Sequence, residues 1–287
     1  MSIQSQDQLK SYWSNYVDNY SKIQGNQASF GITLINMLDI QNAQRIFESG
    51  CGPGLLIPMI LINKQLNCEF ISTDLSEKMI EASKQRVLNF LNFPNGQLDY
   101  NNLENLFKQI SWDAKVANAE DLSQYDNDYF DIYYGGFIFH LVLNPILALQ
   151  EAYRILKPGG RIGFSIWGRR ELADNYTILR TTAVEVGYVF PKSHDAFNLG
   201  SDKAKLKELL ETLGFKNILL WYQNTAANRF TSDQIIEGQN PEIIAFLQKD
   251  QELYQNLLKK LDEKIKYKLN VLNEPLIQDC LLVIAQK

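Results

Sequence analysis

Hydrophobic and polar positions along the chain follow two different periods. Short runs rich in Ile, Phe and Val predict strands, and longer segments with an apolar residue every three or four positions predict helices. The two kinds alternate over roughly 125 residues, which predicts a mostly parallel sheet with helices on both faces. The predicted strands are residues 45–49, 69–73, 114–117, 129–139 and 161–167, and the helices between them are residues 55–63, 76–89 and 146–156.

The two ends of the chain depart from this alternation. Predicted helices at residues 8–22 and 29–38 precede the first strand, and the former is amphipathic and aromatic. After residue 167 the pattern predicts helices at residues 175–186 and 202–213 and a strand at 215–223. Charged amphipathic helices at 231–270 and a final strand at 279–287 follow.

Local signals set several of these boundaries. Ser76 is a predicted N-cap, and Asn144 followed by Pro145 is a typical helix start. The sequence Lys-Pro-Gly-Gly predicts a turn in which Gly159 and Gly160 both take left-handed geometry. Residues 90–112 are long and polar for a connection and are therefore predicted to be an insertion containing a short helix.

Composition and charge narrow the classes of protein. The chain has 287 residues, 45% hydrophobic and 21% charged, which is typical of a globular protein. Its net charge of −5 gives no electrostatic reason to bind nucleic acid. No apolar run approaches the length of a membrane span, about 18 residues. We therefore expect neither a nucleic-acid partner nor a membrane span.

Cysteine usage and the N-terminus bear on location. Three widely spaced cysteines favour neither a disulfide framework nor a zinc site, so we expect a reducing compartment and no metal. The first arginine is Arg45, which makes residues 1–40 a poor mitochondrial transit sequence. The expected location is the cytoplasm rather than the mitochondrion.

Three glycines and a proline fall within the five residues from Gly50 to Gly54, directly after the first predicted strand. A Walker loop would end in Gly-Lys-Ser/Thr, whereas Leu55 and Leu56 follow here. A dinucleotide fingerprint would need its third glycine where Leu55 stands. A plain structural turn explains neither the three glycines nor Glu48 before them. Each of these three interpretations therefore fits the turn poorly.

A second signal is the acid at the end of the second predicted strand. Asp74 lies 20 residues after Gly54. Its carboxylate can accept hydrogen bonds from both hydroxyls of a ribose, and such charge-assisted bonds are strong. The alternative is a helix N-cap, because Asp-Leu-Ser-Glu is also a capping sequence. The two roles are compatible.

The glycine sequence Glu-x-Gly-x-Gly-x-Gly resembles that of class I methyltransferases, which use S-adenosylmethionine (SAM). Residues 116–168 are similar to the later motifs of that superfamily, including Asn-Ala-Glu-Asp-Leu and Ala-Leu-Gln-Glu-Ala-Tyr-Arg-Ile-Leu-Lys-Pro-Gly-Gly. The latter is similar to the small-molecule branch that includes the ubiquinone-, menaquinone- and other type 11 methyltransferases. The resemblance extends over residues 12–222 and the closing strand.

This resemblance implies an α/β fold with a Rossmann-like, seven-stranded, mostly parallel sheet. Helices cover both faces, the final strand is antiparallel, and a helical insertion precedes it. Residues 1–287 would form a single methyltransferase domain. Residues 1–40 would then be a helical cover, and 168–200 and 225–275 would be substrate-lid insertions.

The resemblance also implies SAM as cofactor, S-adenosylhomocysteine (SAH) as product and a set of binding residues. Glu48 would accept from the ammonium of SAM, and Asn118 stands where the family usually has Asp. Tyr20 matches a cofactor-facing aromatic of the covering helix, although Trp13, Tyr16 and Tyr20 could instead pack that helix down. The implied cofactor-binding residues are Tyr20, Glu48, Gly50, Cys51, Gly52, Gly54, Asp74, Leu75, Met79, Asn118, Ala119, Glu120 and Gly135.

The implied reaction is in-line displacement of the sulfonium methyl by a nucleophile on a small acceptor. His140 is the candidate catalytic base, with a packing role as its alternative; His194 is a weaker candidate. The sequence Tyr133-Tyr134-Gly135-Gly136 differs from the motif of DNA adenine methyltransferases, and strand alternation predicts that one of the two tyrosines faces the core. Aromatic residues suggest an apolar or flat acceptor: Phe137, Phe139, Trp167 and Tyr188.

Other functions stay open. A methyltransferase fold can serve as a structural or binding subunit of a larger assembly. Residues 90–112 or 240–270 would then contact protein partners. Methylation of protein or RNA, and a nicotinamide-dependent oxidoreductase, are disfavoured by the acidic charge and by the glycine spacing, respectively.

Overall fold

The computed structural model describes residues 5–91, 110–190, 195–227, 231–239 and 241–287. Most of the predicted insertion at 90–112 lies outside the described residues, and so does His194. Within the described residues, no helix is both long enough and apolar enough to cross a lipid bilayer.

Seven strands form one sheet in the order β3-β2-β1-β4-β5-β7-β6. Strand β7 pairs antiparallel with both of its neighbours, and the remaining strand pairs are parallel. The predicted fold class, with its antiparallel final strand, is confirmed. The strands are β1 (Arg45–Ser49), β2 (Glu69–Asp74), β3 (Trp112–Val116), β4 (Phe130–Gly136), β5 (Leu156–Trp167), β6 (Lys216–Ala226) and β7 (Ile277–Gln286).

Helices flank the sheet and form the insertions. Asn144 begins the helix after β4 as predicted, since its side chain accepts from the backbone N–H of Leu147 at 3.1 Å. The helices are α1 (Gln6–Ile23), α2 (Ala28–Met37), α3 (Ile57–Asn63), α4 (Glu77–Leu91), α5 (Pro145–Ile155), α6 (Asp174–Glu185), α7 (Lys203–Thr212), α8 (Ser232–Glu237), α9 (Pro241–Leu247) and α10 (Gln251–Lys266).

The order of the strands places a crevice at the centre of the sheet. The chain runs outward from β1 through β2 to β3 and then crosses to β4 on the other side of β1. In open parallel sheets, ligands bind at the carboxyl ends of the strands where the order reverses in this way. In this register Glu48 of β1 stands between Ser72 of β2 and Tyr134 of β4.

Both faces of the sheet are buried, which corrects the prediction about the paired tyrosines. Tyr133 packs in the apolar layer with Phe47 and Phe139, and Tyr134 packs in the opposite layer with Phe30. Their exposed fractions are 0% and 1%. The prediction that one of them faces the core is wrong because helices cover both faces of the sheet, so each alternate position is internal.

The Lys-Pro-Gly-Gly sequence also differs from its prediction. Strand β5 begins at Leu156 and continues through it, with a register shift against β4. Gly159 has φ +83°, whereas Gly160 does not lie in the left-handed region. A Cβ at Gly160 would lie 2.9 Å from the carbonyl oxygen of Lys157, so close backbone packing explains this second glycine.

The insertions after β5 and β6 share a third apolar core. Leu179 and Ala183 of α6 are buried with Leu257 and Leu261 of α10. The N-terminal helix contacts this insertion, because the Tyr16 hydroxyl donates to the carbonyl of Gly238 at 2.6 Å. Helix α1 therefore links the carboxyl edge of the sheet to the helical insertion.

Candidate functional site

The glycine turn after β1 has left-handed backbone geometry at all three glycines. Gly50, Gly52 and Gly54 have φ values of +65°, +54° and +78°. Such values favour glycine over residues with a Cβ. The turn is tied to β2 because the Cys51 N–H donates to the Thr73 carbonyl at 2.9 Å. Sequence spacing identified this turn correctly.

The glycines have different neighbours, and therefore different tasks. A Cβ on Gly52 would meet only the ring of Tyr20, at 3.5 Å, so Gly52 faces the space beneath α1. A Cβ on Gly54 would lie 3.0 Å from Cα of Ser83, so this glycine lets the turn pack against α4. A Cβ on Gly50 would meet Ile138 at 2.7 Å. Gly52 is thus the most open of the three toward a ligand.

Asp74 lies against the glycine turn. Its Oδ2 accepts from the Gly52 N–H and its Oδ1 from the Ser76 N–H, both at 2.9 Å. The Ser76 Oγ accepts from the Met79 N–H at 3.3 Å, as expected of the predicted N-cap. Asp74 therefore joins the two loops and leaves its remaining lone pairs for a ligand.

Glu48 lies behind the turn and is 3% exposed. Its Oε2 accepts from the Ser72 hydroxyl at 2.8 Å, and that hydroxyl oxygen accepts from the Trp112 ring N–H at 3.0 Å. Burial raises the pKa of Glu48 to about 7, the Ser72 bond opposes this shift, and the charge of Asp74 adds to it. Burial likewise raises the pKa of Asp74 to about 6, although backbone N–H groups lower it.

The two carboxyl groups make the site receptive to a cation. Among the described residues neither Glu48 nor Asp74 forms an ion pair. Buried carboxylates are stabilised by opposite charge or by hydrogen-bond donors. SAM carries both an ammonium and a sulfonium, so the charge of the site fits this cofactor.

The loop after β3 forms the opposite wall. The Ala117 N–H donates to the Asp74 carbonyl at 3.0 Å, which holds this loop beside β2. The Asn118 Oδ1 accepts from the Glu120 N–H at 3.0 Å, and the Glu120 carboxylate accepts from the Leu143 N–H at 2.7 Å. The Asn118 side chain therefore stabilises the turn after β3.

Helix α1 covers the site. Ser14 bonds Ser76 at 2.8 Å and Lys10 pairs with Glu77 at 3.0 Å, so the helix is held above the start of α4. The Tyr20 hydroxyl donates to the Gln27 side chain at 2.8 Å. Desolvation raises the pKa of Tyr20.

The glycine turn, Asp74, the loop after β3 and helix α1 together line one cavity at the carboxyl edge of the sheet. Eight of the thirteen predicted cofactor residues line it: Tyr20, Gly50, Gly52, Asp74, Leu75, Met79, Asn118 and Ala119. The other five predicted positions do not line it: Glu48, Cys51, Gly54, Glu120 and Gly135.

Several lining residues were missed by sequence reasoning. Gly136 rather than Gly135 reaches the cavity, together with Ile138, Leu141 and Val142. The available signal was the apolar run that directly follows β4. Leu9 and Trp13 of helix α1 also line the cavity.

His140 and the predicted acceptor-facing aromatics are mostly internal. The His140 ring is 2% exposed and meets the rings of Phe137 and Trp167 edge-on, with centroids 5.9 and 6.3 Å away. Phe139 packs between Tyr133 and Phe164. Tyr188 lies in the third core, where its hydroxyl donates to the Leu247 carbonyl. Of the four aromatics, Phe137 lines the cavity, with φ +58°.

Comparison with known proteins agrees with this geometry. Residues 47–164 match the family described as Methyltransferase domain. The mitochondrial 2-methoxy-6-polyprenyl-1,4-benzoquinol methylase of Gallus gallus is 37% identical over 93 residues, which cover 32% of this chain and 24% of that protein. The ubiquinone/menaquinone biosynthesis C-methyltransferase UbiE of Rickettsia typhi is 30% identical over 135 residues, 46% of this chain and 48% of that protein. The chain thus spans less than half the length of these relatives.

The fold is shared more widely than the sequence. The crystal structure of the [4+2]-cyclase SpnF superposes with a TM-score of 0.58 at 15% identity and covers 99% of this chain and 98% of that one. Within residues 47–164, the glycine turn and the family match together identify a class I SAM-dependent methyltransferase domain. It is related to the ubiquinone-type branch, which confirms the predicted family and SAM as its cofactor.

Proposed function

We propose that this protein is a SAM-dependent methyltransferase that acts on a small molecule. The observation that carries the proposal is the 2.9 Å hydrogen bond between the Gly52 N–H and Asp74. It joins the glycine turn and the β2 acid into one wall of one cavity, as the binding of a single nucleoside requires. SAM, when bound, supplies a methyl group on a positively charged sulfur, which is its own leaving group.

The protein's share of the reaction is alignment and exclusion of water. Asp74 would hold the ribose, Glu48 would face the ammonium, and Gly52 would let the backbone come close. Leu75 and Met79 would pack on the adenine. Helix α1 would close the site through Trp13 and Tyr20, because both line the cavity from above.

The acceptor side of the cavity supports a small apolar substrate. Phe137, Ile138, Leu141 and Val142 form its wall beyond β4. The quinone methylases among the relatives act on molecules of this kind according to their names. His140 stays the candidate base of the proposal because it follows β4, although its ring is buried and does not line the cavity.

Incubation with methyl-labelled SAM and a cell extract, followed by separation into small-molecule, protein and RNA fractions, tests the proposal. We expect label in the small-molecule fraction, and none with Gly52→Val. Label in protein or RNA instead would contradict the proposed acceptor class, and label in no fraction would contradict the activity.

A structural or binding role is the second candidate. The similarity to SpnF, which is named as a cyclase, supports keeping this candidate, because a fold of this kind does not dictate one function. Helices α9 and α10, within residues 240–270, would then contact the partner. Native mass measured in extract separates the two: a monomer or dimer supports the enzyme, and a large particle supports the assembly role.

The location stays a prediction. The composition favours the cytoplasm, whereas the Gallus gallus relative is named as mitochondrial. Imaging of the full chain with a C-terminal fluorescent tag decides between the two compartments.

A further inference from the structure

Tyr134 is a buried side chain that has no role in the proposed function. It lies at position five of β4 and is 1% exposed. Its hydroxyl has no hydrogen-bond partner among the described residues. A buried hydroxyl without a partner costs about 1–3 kcal/mol of folding stability. Such a group is therefore expected where a bound ligand supplies the missing hydrogen bond.

The hydroxyl lies beside the cofactor cavity. A Cβ built on Gly136, which lines the cavity, would be 2.7 Å from the Tyr134 hydroxyl oxygen. A Cβ on Gly31 of α2 would be equally close, 2.7 Å. Two glycines on different elements thus make room for this hydroxyl, which packs against their backbone and so lies directly behind the cavity wall at Gly136.

The neighbours of Tyr134 indicate which part of the ligand it would meet. Tyr134 and Glu48 are register partners on β4 and β1, so their side chains leave the same face of the sheet side by side. The charge of Glu48 and the nearby Tyr20 both add to the effect of burial in raising the pKa of Tyr134. Asp74, in contrast, lies on the far side of β1, at the end of β2.

We propose that the Tyr134 hydroxyl is a hydrogen-bond partner of the aminoacyl group of bound SAM, beside Glu48. A phenol can accept from the ammonium and donate to the carboxylate, and both charges belong to that group. This inference rests on the proposed function. The inference gives the Tyr134 hydroxyl a role in ligand binding, although the side chain lies in an apolar layer of the core.

Calorimetric titration with two ligands tests the assignment. SAH contains the aminoacyl group, whereas 5′-methylthioadenosine contains the same nucleoside and sulfur without it. We expect Tyr134→Phe to lower the affinity for SAH by about tenfold or more, the effect of losing one hydrogen bond to a charged group. The affinity for 5′-methylthioadenosine should stay within about twofold of the wild type.

Tyr133→Phe is the matched control. It removes a hydroxyl from the next residue, whose side chain lies in the opposite layer, and we expect both affinities to stay within about twofold. Without ligand, Tyr134→Phe should melt no lower than the wild type, because it removes a buried group that lacks a partner.

The outcomes separate this inference from the proposed function. If the wild type binds neither ligand, the proposed function fails. If the wild type binds both and Tyr134→Phe binds SAH equally well, Tyr134 has no part in binding. An equal loss for both ligands would contradict contact with the aminoacyl group, and a lower melting temperature would show that the hydroxyl is already satisfied in the free protein.

Discussion

Replacing Asp74 by Asn tests the nucleoside site with little change of shape. The carboxylate already accepts one N–H from Gly52 and one from Ser76. An ionised carboxylate has about four acceptor sites, so acceptor capacity remains for the ribose hydroxyls. Asn keeps one acceptor oxygen, loses the charge and turns an N–H₂ group toward one of those backbone donors.

The size of the effect follows from the hydrogen bonds that are lost. A hydrogen bond to a charged group contributes about 1.5–3 kcal/mol, which corresponds to roughly 10- to 150-fold in affinity. Calorimetric titration with SAH at pH 8 is the assay, because the raised pKa of Asp74, about 6, leaves the carboxylate ionised there. We expect at least about a tenfold loss of SAH affinity for Asp74→Asn.

Two controls keep this result interpretable. Glu81→Gln removes an exposed carboxylate from α4, and we expect unchanged affinity. Since the folded-state pKa of Asp74 lies above its ordinary 3.8, its ionisation lowers the free energy of unfolding as pH rises from about 4 through 6. Loss of the charge at pH 8 should therefore not lower the melting temperature by more than a few degrees. A folded Asp74→Asn that binds SAH like the wild type would refute the ribose assignment.

Three further outcomes are expected. Gly52→Val should abolish SAM binding in calorimetry, because a side chain there enters the cavity at φ +54°; retained binding would contradict a close backbone approach. SAM affinity should fall as pH drops below about 7, where Glu48 gains a proton, and Glu48→Gln should flatten that part of the profile; an unchanged slope would exclude Glu48 from ammonium binding. His140→Gln should keep SAH affinity, since the ring does not line the cavity, and turnover with an identified acceptor then measures its catalytic share; a tenfold loss of affinity would place the ring in the cofactor site.

The fold was predictable because its signals are local. Strand-length apolar runs, the Asn144 cap and the Ser76 cap each depend on a few consecutive residues. The turn from Gly50 to Gly54 and the acid at position 74 were visible as spacing. The hydrogen bond that joins them confirms that they lie together.

What the sequence could not show depends on packing between distant segments. Gly54 is indistinguishable from Gly52 by spacing, yet it faces Ser83 of α4 rather than the cavity. Tyr134 has the composition of a core residue, and only the register with Glu48 and the glycines around its hydroxyl distinguish it. The third core likewise joins two insertions that are far apart in the sequence.

The most direct test of the central claim is calorimetric titration of the wild-type protein with SAM, SAH and NADH. We expect saturable one-to-one binding of SAM and SAH and no measurable binding of NADH. Absence of a heat signal with both SAM and SAH at millimolar concentration, or equal affinity for NADH, would contradict it.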